Sequence, residues 1–479
     1  MAHRLTDRIG TVLDLEPDSA AVEFDGHWVS WGALGSYARQ IGALLGDGRP
    51  QVGVLLRNRP EHIATVLGIL LSGATLVVVN PSRGDDRIKA DLSTLSLPVI
   101  VGTADDVASY VQASPPQTSV ITIGDVSQSP TATTPITVAD SKAGIAVRML
   151  TSGTTGPPKR IDLSYDMLAH SVLGPEPTAV RDGVAIVNAP LVHIGGIYRV
   201  LQNICEARPF VLLAKFDLAR WADAVRTHRP KAVSLVPAAL RTVLHSDLTA
   251  DDLSGVRVVT SGTAPLSAED ADAFTEKFGI PVLTSYAATE FGGGVAGWNY
   301  ADHQKYWSTK RGSVGRASLG AQLRVVGEDG TVLGSDEPGL LEVKPGQLGP
   351  NTEWLRTTDL ARIDADGFLW ILGRADQAIV RGGFKVMPDD VRSALESHPD
   401  VQGAAVVGRP DARLGETPVA MVELRAAVSA DELSGYLRNR LAPYEIPTAI
   451  AIVEAIPRTP SGKADLGAVR AHFDTPVAP

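Results

Sequence analysis

A single cysteine, Cys205, stands in 479 residues. That excludes an internal disulfide and an all-cysteine metal site, and it fits a reducing compartment. Basic residues are in deficit. The chain has 44 Lys and Arg against 54 Asp and Glu, a net charge of −10. A general nucleic-acid binder needs a basic face, so no nucleic-acid partner is expected. Long hydrophobic runs are missing too. The longest uncharged stretch, IATVLGILLSGATLVVVN at residues 63–80, is near the lower length limit for a membrane span. Gly68, Ser72, Gly73 and Thr75 interrupt it. It reads as a buried helix, a Ser-Gly turn and a buried strand, with a membrane span the weaker alternative. MAHRLTDRIG lacks the apolar core of a signal peptide, and the final PVAP is no peroxisomal address. The expected location is the cytoplasm. Repeats and low-complexity tracts are absent.

What is present is globular: 44% hydrophobic and 20% charged residues, enough apolar surface to exclude disorder for most of the chain. The length suggests about three domains, or one large and one small. VGVLL, TLVVV, VAIVNA, FVLL, AVSLV, VRVVT and PVLTS read as strands, and Pro60 starts a helix. Amphipathic stretches at 217–228 and 267–278 lie between them. Strand–helix alternation predicts α/β architecture, with mostly parallel sheets covered by helices. Residues 113–137, rich in Ser, Thr and Pro, read as surface connection. From about Gly312 strands dominate around the turns GEDG and DADG, which predicts a small β-rich subdomain. After Arg374 come two helices, 388–398 and 431–441, among three or four short strands. The expected division is an N-terminal domain, residues 1–375, and a small α+β C-terminal domain, 376–479.

Met149 to Lys159 reads MLTSGTTGPPK. An apolar run feeds Thr151, Ser152, Gly153, Thr154, Thr155 and Gly156, then two prolines and Lys159. Glycines let backbone N–H groups converge, hydroxyls add donors, and the lysine adds charge: a sensible polyphosphate cradle. It is not a Walker A loop, since Pro157 and Pro158 stand where Gly and Lys belong. By composition alone, a plain surface loop is the even alternative.

The order of residues goes further. TSGTTGPPK resembles the phosphate loop of the adenylate-forming superfamily: the acyl-CoA synthetases, firefly luciferases and peptide-synthetase adenylation domains. AIVNAPLVHIGG (185–196) is similar to its Pro-x-x-His-x-x-Gly segment, SGTAPL (261–266) to its Ser-Gly-Gly-Ala-Pro-Leu turn, and SYAATE (285–290) to Tyr-Gly-x-Thr-Glu. Residues 356–391 resemble the long Thr-x-Asp … Gly-Arg-x-x-Asp … Gly-Gly run, and PRTPSGKAD (457–465) the terminal lysine motif. Each match alone is weak to moderate; six in family order are not chance.

The resemblance implies two half-reactions. A carboxylate attacks the α-phosphate of ATP, and a thiol, often coenzyme A, then attacks the acyl-adenylate. It implies that Thr151 to Gly156 and Lys159 hold phosphates. Asp359 and Arg374 hold the ribose hydroxyls, which a charged acceptor binds strongly. Glu290 ligates Mg²⁺, a hard cation suited to carboxylate oxygens. Thr289 donates to the α-phosphate or substrate oxygen, and Tyr286 stacks on adenine. Gly262, Thr263 and Ala264 line the adenine and acyl sites, and His193 lies beside the acid. Lys463 offsets the repulsion between carboxylate and phosphate and the charge growing on phosphorus. Asp376 is the hinge about which the C-terminal domain rotates, bringing Gly382, Gly383, Phe384 and Lys385 to the pantetheine arm. The plain alternatives remain: a turn aspartate, a surface arginine, a helix-capping threonine, a core tyrosine, an exposed lysine.

Departures from the family pattern include two lost glycines. Ala287 replaces the glycine of Tyr-Gly-x-Thr-Glu, and Arg160 replaces the glycine that often follows the loop lysine. Neither removes a catalytic group. Gly195, Gly196, Gly292, Gly293 and Gly294 leave room for a bulky or ring-bearing acid, with Phe291 and Trp298 as apolar walls. Arg199 either pairs with a second acidic group on the substrate or reaches solvent or a protein carboxylate. The expected activity is ligation of a carboxylic acid (aryl, cyclic or medium-sized and apolar) to coenzyme A, using ATP and Mg²⁺. The alternative is transfer to a carrier-protein thiol or an amine. LVHIGGI has no aspartate for an α-amino group, which disfavours amino-acid activation. A luciferase-like oxidation stays open. A non-catalytic relative is disfavoured, because Lys463, Glu290 and Asp359 are all present.

Overall fold

Val- and Ile-rich runs buried on both faces build parallel strands, and this chain has several. The computed structural model describes residues 3–474, apart from 83–84, 112–113, 115–116, 135, 137–143, 151–159, 382–383, 412 and 460–461. A seven-stranded sheet runs in the order Thr131–Ala132, Ser119–Thr122, Val99–Gly102, Gln51–Leu55, Thr75–Val79, Ile145–Leu150, Arg160–Ser164. Its inner pairs are parallel and its two edge strands antiparallel. The stretch 63–80 resolves as expected: helix Pro60–Leu71, a turn, then the fully buried strand Thr75–Val79. That helix is apolar all round because the helix Trp31–Leu45 packs on one side and the sheet on the other.

A second sheet orders Ala232–Ser234, Val258–Ser261 and Val282–Ala288 in parallel, then Gly293–Gly297 and Arg316–Ala317 antiparallel. A third joins Ala185–Val187, Phe210–Leu212, Ala20–Phe24 and His27–Ser30. The β-rich segment after Gly312 is an antiparallel sheet of Gln322–Val326, Gly339–Lys344, Leu355–Ile363 and Leu369–Arg374. Gly330 and Gly367 take φ +87° and +82° in the two expected turns. The amphipathic helices form one residue later than read, at Leu218–His228 and Ala268–Phe278, because Asp217 and Ser267 are their N-caps.

Three details differ from the sequence reading. The connection 113–137 holds two short strands: Ser119–Thr122, which joins Val99–Gly102 in parallel, and Thr131–Ala132, which pairs antiparallel with Ser119–Thr122. The tail has a hairpin longer than expected, Val401–Asp411 paired with Gly415–Leu424, besides Ile379–Arg381, Phe384–Val386 and Ile450–Val453. It also has a third helix, Leu466–Asp474. Its strands and helices enclose two apolar clusters of their own.

One ion-pair network ties that tail to the rest. Arg241 donates through Nε to Asp270 (2.6 Å) and through Nη2 to Glu396 (3.1 Å). Glu396 also accepts from Arg392 Nη1 at 2.6 Å. The Glu396 side chain is only 7% exposed.

Helix Pro60–Leu71 also buries His62 completely, with neither ring nitrogen hydrogen-bonded to a described residue. Burial, with Arg57 next, pulls its pKa down to about 3 against the opposing pull of Asp106. The folded chain therefore holds His62 neutral while the unfolded chain takes up a proton below the ordinary pKa of about 6.5. Stability then falls as pH drops from about 6.5 toward 3, by up to about 1.4 kcal/mol per pH unit from this group. His62→Leu should flatten that part of the acid limb in urea unfolding measured from pH 7 to 5. An unchanged slope contradicts it.

Candidate active site

Parallel strands end together, and loops at their carboxyl ends collect functional groups. Here Val258–Ser261 runs into the SGTAPL turn and Val282–Ala288 into Thr289-Glu290. The turn is held unusually. Thr263 takes φ +71°, a left-handed conformation costly for a β-branched residue. The family turn has glycine at this place, so the signal was in the sequence. A Cβ on Gly262 would meet Ser285 Oγ at 2.7 Å, so the turn packs directly on the neighbouring strand.

Thr289 opens a short 3₁₀ turn, Thr289–Phe291, whose cap is Ala288 without a side-chain bond; the capping alternative for Thr289 therefore fails. Glu290 is exposed. No cluster of three or more His, Cys, Asp or Glu exists among the described residues. A lone exposed carboxylate still fits Mg²⁺, which commonly binds one or two carboxylates and completes its shell with phosphate oxygens and water.

Asp359 lies in the strand Leu355–Ile363, opposite Arg374 in the next strand. Arg374 Nε stands 4.0 Å from Asp359 Oδ1, and Nη2 donates to Thr358 Oγ1 at 2.7 Å. Asp376 holds the same guanidinium through Nε (2.9 Å) and Nη2 (2.7 Å). The Tyr286 hydroxyl donates to Asp359 Oδ2. Burial raises the Asp359 carboxyl pKa, while the Tyr286 bond and Arg374 pull it back. Burial and Asp359 both push the Tyr286 hydroxyl up, so it stays a donor. Sequence reasoning gave Tyr286 only a ring face; its hydroxyl also orients the Asp359 carboxylate.

Lys463 sits in a turn closed by Thr459 N–H donating to Lys463 O at 2.7 Å, with Gly462 at φ +81°. It is exposed, yet the protein massed around its cleft lowers its pKa. Arg374 lowers it further, and Glu290 and Asp359 raise it. The lysine thus shares one electrostatic site with all three. His193 is half-buried as the N-cap of the helix Ile194–Cys205. Arg199, one turn along, reaches Thr260 Oγ1 at 3.1 Å. Thr151 to Gly156, Lys159, Gly382 and Gly383 lie outside the described residues; Phe384 and Lys385 fall in the strand Phe384–Val386.

The glycine reading of the pocket needs correction. A Cβ on Gly196 would lie 2.1 Å from Pro190 O, and one on Gly292 would lie 2.4 Å from Met167 Cε. Gly293 faces the Tyr198 ring at 3.5 Å. These glycines admit protein, not substrate. Only Gly195 and Gly294 face open space. Ala287 is half-buried and pairs with Gly294 across the hairpin. Phe291 and Trp298 are core residues, 4% and 7% exposed, and Trp298 Nε1 donates to Ser313 O. Apolar core packing claims both before any ligand can.

Gly196→Ala should therefore destabilise the fold by about 1–3 kcal/mol, the cost of overpacking. Gly195→Ala should be neutral or stabilising, since alanine is the better helix former. Thermal unfolding of the pair checks it; equal melting temperatures contradict the assignment.

Comparison with known proteins agrees with this geometry. The family model AMP-binding enzyme matches residues 12–349, and AMP-binding enzyme C-terminal domain matches 390–463. A 2-succinylbenzoate–CoA ligase of Bacillus cytotoxicus is 29% identical over 472 residues, covering 94% of this chain and 95% of the relative. A feruloyl-CoA synthase of Amycolatopsis sp. is 27% identical over 488 residues, covering 96% and 97%. Among solved structures, an anthranilate CoA ligase bound to anthranoyl-AMP superposes with TM-score 0.82 at 21% identity, covering 98% of this chain and 97% of that one. With its six motifs in order, its lysine turn over the Glu290–Asp359 site and family models spanning both ends, the chain belongs to the AMP-binding enzyme family, the adenylate-forming enzymes.

Proposed function

We propose that this enzyme activates an aryl, cyclic or medium-sized apolar carboxylic acid with ATP and passes the acyl group to coenzyme A. The chain is an ATP-dependent, AMP-forming acid–thiol ligase. The observation that carries the reading is the meeting of Lys463 with Glu290, Asp359 and Arg374 in one electrostatic site. The names of the relatives support the thioester product and a ring-bearing acid.

In the first step a carboxylate oxygen attacks the α-phosphorus and pyrophosphate leaves. Two anions must approach, and Lys463 lowers that cost and the charge on the pentavalent phosphorus. Asp359, oriented by Tyr286, and Arg374, braced by Asp376 and Thr358, take the ribose. Glu290 would hold Mg²⁺, which would neutralise phosphate charge. Thr289 donates toward the reacting oxygen, and His193 borders the acid. In the second step the thiol attacks the acyl carbon and AMP leaves. The C-terminal domain, residues 376–479, turns about Asp376 and presents Gly383 and Lys385 to the arm of coenzyme A. No described helix is long and apolar enough to cross a membrane, which supports placement in the cytoplasm. Likeness to an amide bond synthetase from Marinactinospora thermotolerans (TM-score 0.81, 23% identity) keeps an amine acceptor as the second reading.

A panel of carboxylic acids with ATP, read as pyrophosphate release with and without coenzyme A, tests the function. Lys463→Ala should lose pyrophosphate release by at least about 10²–10³-fold. It should still convert supplied acyl-adenylate to thioester. Unchanged pyrophosphate release removes Lys463 from the first step.

The hinge needs a control, because Asp376 also binds Arg374. Asp376→Pro fixes φ near −65° as well as cutting those bonds; Asp376→Ala only cuts them. Proline should keep pyrophosphate release near the alanine level and lose thioester formation by a further factor of about 10² or more. Equal effects of both substitutions on both steps rule the hinge out.

A further inference from the structure

The helix Ile194–Cys205 crosses the ends of the two strands that carry Gly262 and Glu290, and successive side chains make the crossing. The Tyr198 hydroxyl donates to Gly292 O at 2.6 Å, just past Glu290. Arg199 Nη2 donates to Thr260 Oγ1 at 3.1 Å, two residues before Gly262. The guanidinium is thereby fixed at the reacting end of the sheet, on the helix that His193 begins.

Its partners are neutral. Besides Thr260, Arg199 reaches Gln202 Oε1 at 3.4 Å, and it forms no ion pair with a described carboxylate. The acidic residue next along the helix is Glu206, and others hold it. Arg208 Nη2 stands 3.3 Å and Arg181 Nη1 3.5 Å from Glu206 Oε2, and Gln202 Nε2 donates to Oε1 at 3.1 Å. Glu206 touches Arg199 only through a distant Coulomb effect.

Arg199 is exposed, yet the protein around it lowers its pKa through burial. Water reaches it on one side and protein walls the rest, which describes a cation lining a recess. A guanidinium offers five N–H donors in a planar fork, and the two neutral partners leave enough free to clasp a carboxylate.

We infer that Arg199 selects the substrate by binding a second carboxylate on the acid being activated, so that the enzyme acts on a dicarboxylic acid. One carboxylate goes to the Lys463 site and the other to Arg199. A monoacid would leave the guanidinium without a counter-charge, which is discrimination by a charge left unpaired. The inference rests on the ligase reading above and narrows its substrate.

The test uses matched acids with the whole enzyme: 2-succinylbenzoate against 4-oxo-4-phenylbutanoate, and 4-carboxycinnamate against cinnamate. In each pair only the second carboxylate differs. Pyrophosphate release is measured for wild type, Arg199→Leu and Arg199→Lys. Wild type should prefer at least one diacid by about 10–100-fold in kcat/KM, the worth of a charged hydrogen bond. Arg199→Leu should abolish that preference through KM for the diacid, leaving KM for ATP and coenzyme A unchanged. Arg199→Lys should keep part of it. Equal ratios in wild type and Arg199→Leu overturn the inference while pyrophosphate release itself upholds the ligase. A raised KM for ATP or coenzyme A instead also overturns it, since the recess then takes their phosphates. Failure of every acid to release pyrophosphate overturns both the ligase reading and this one.

Discussion

Glu396 is one carboxylate that answers to both ends of the chain. Arg392 holds it from within its own helix, Arg241 from the other lobe, and Ala404 N–H donates to its second oxygen at 3.3 Å. A carboxylate this buried must be paired, because losing one partner strands a charge. The network bonds a residue before Arg374 to a helix after it. Such ionic glue is what the proposed hinge requires. Each buried apolar cluster among the described residues lies wholly before Arg374 or wholly after it. Parting the lobes therefore exposes little core, and water can solvate the freed ions.

The site itself is electrostatically economical. One site gathers a lysine, an arginine and two carboxylates, and the proposed mechanism gives each a different part of the nucleotide or the acid. Asp359 has a donor on one oxygen from Tyr286 and a cation 4.0 Å from the other, so burial does not leave it alone. Asp376 is drawn in through Arg374. The residue proposed as the hinge is thus bonded to a residue proposed to hold the ribose, so the proposed joint and nucleotide site share an ion pair. A change in one is felt by the other without a long pathway.

Much of this was legible in the sequence. Strand runs such as TLVVV and the Pro60 helix start declared themselves, because local propensity and burial agree there. The motifs also singled out Glu290, Asp359, Arg374 and Lys463, and the fold brings these four within electrostatic reach of one another. The pocket was not legible. Glycine reports only that a Cβ has no room, and whether protein or substrate takes the space is a tertiary fact. Gly196 against Pro190 and Gly292 against Met167 resolve in favour of protein. Trp298 joined the Leu283–Phe368 core for the same reason. The Arg241–Glu396 contact joins residues 155 apart and left no mark on any local pattern.

The two lobes divide the work between strain and mobility. Thr263 keeps a left-handed backbone at a cost of about 1–3 kcal/mol, which persists only where the surroundings over-determine the turn. They do so here. Ser261 before it is buried, and Gly262 lies against Ser285 of the next strand. The Gly262–Thr263 turn is therefore rigid and can hold a specific shape. Lys463 comes from the opposite regime, a turn held by backbone bonds on a lobe held by ions. Precision in the first lobe and reversibility in the second are separate requirements, and two kinds of interaction meet them: packed backbone for the site, solvatable charge for the joint.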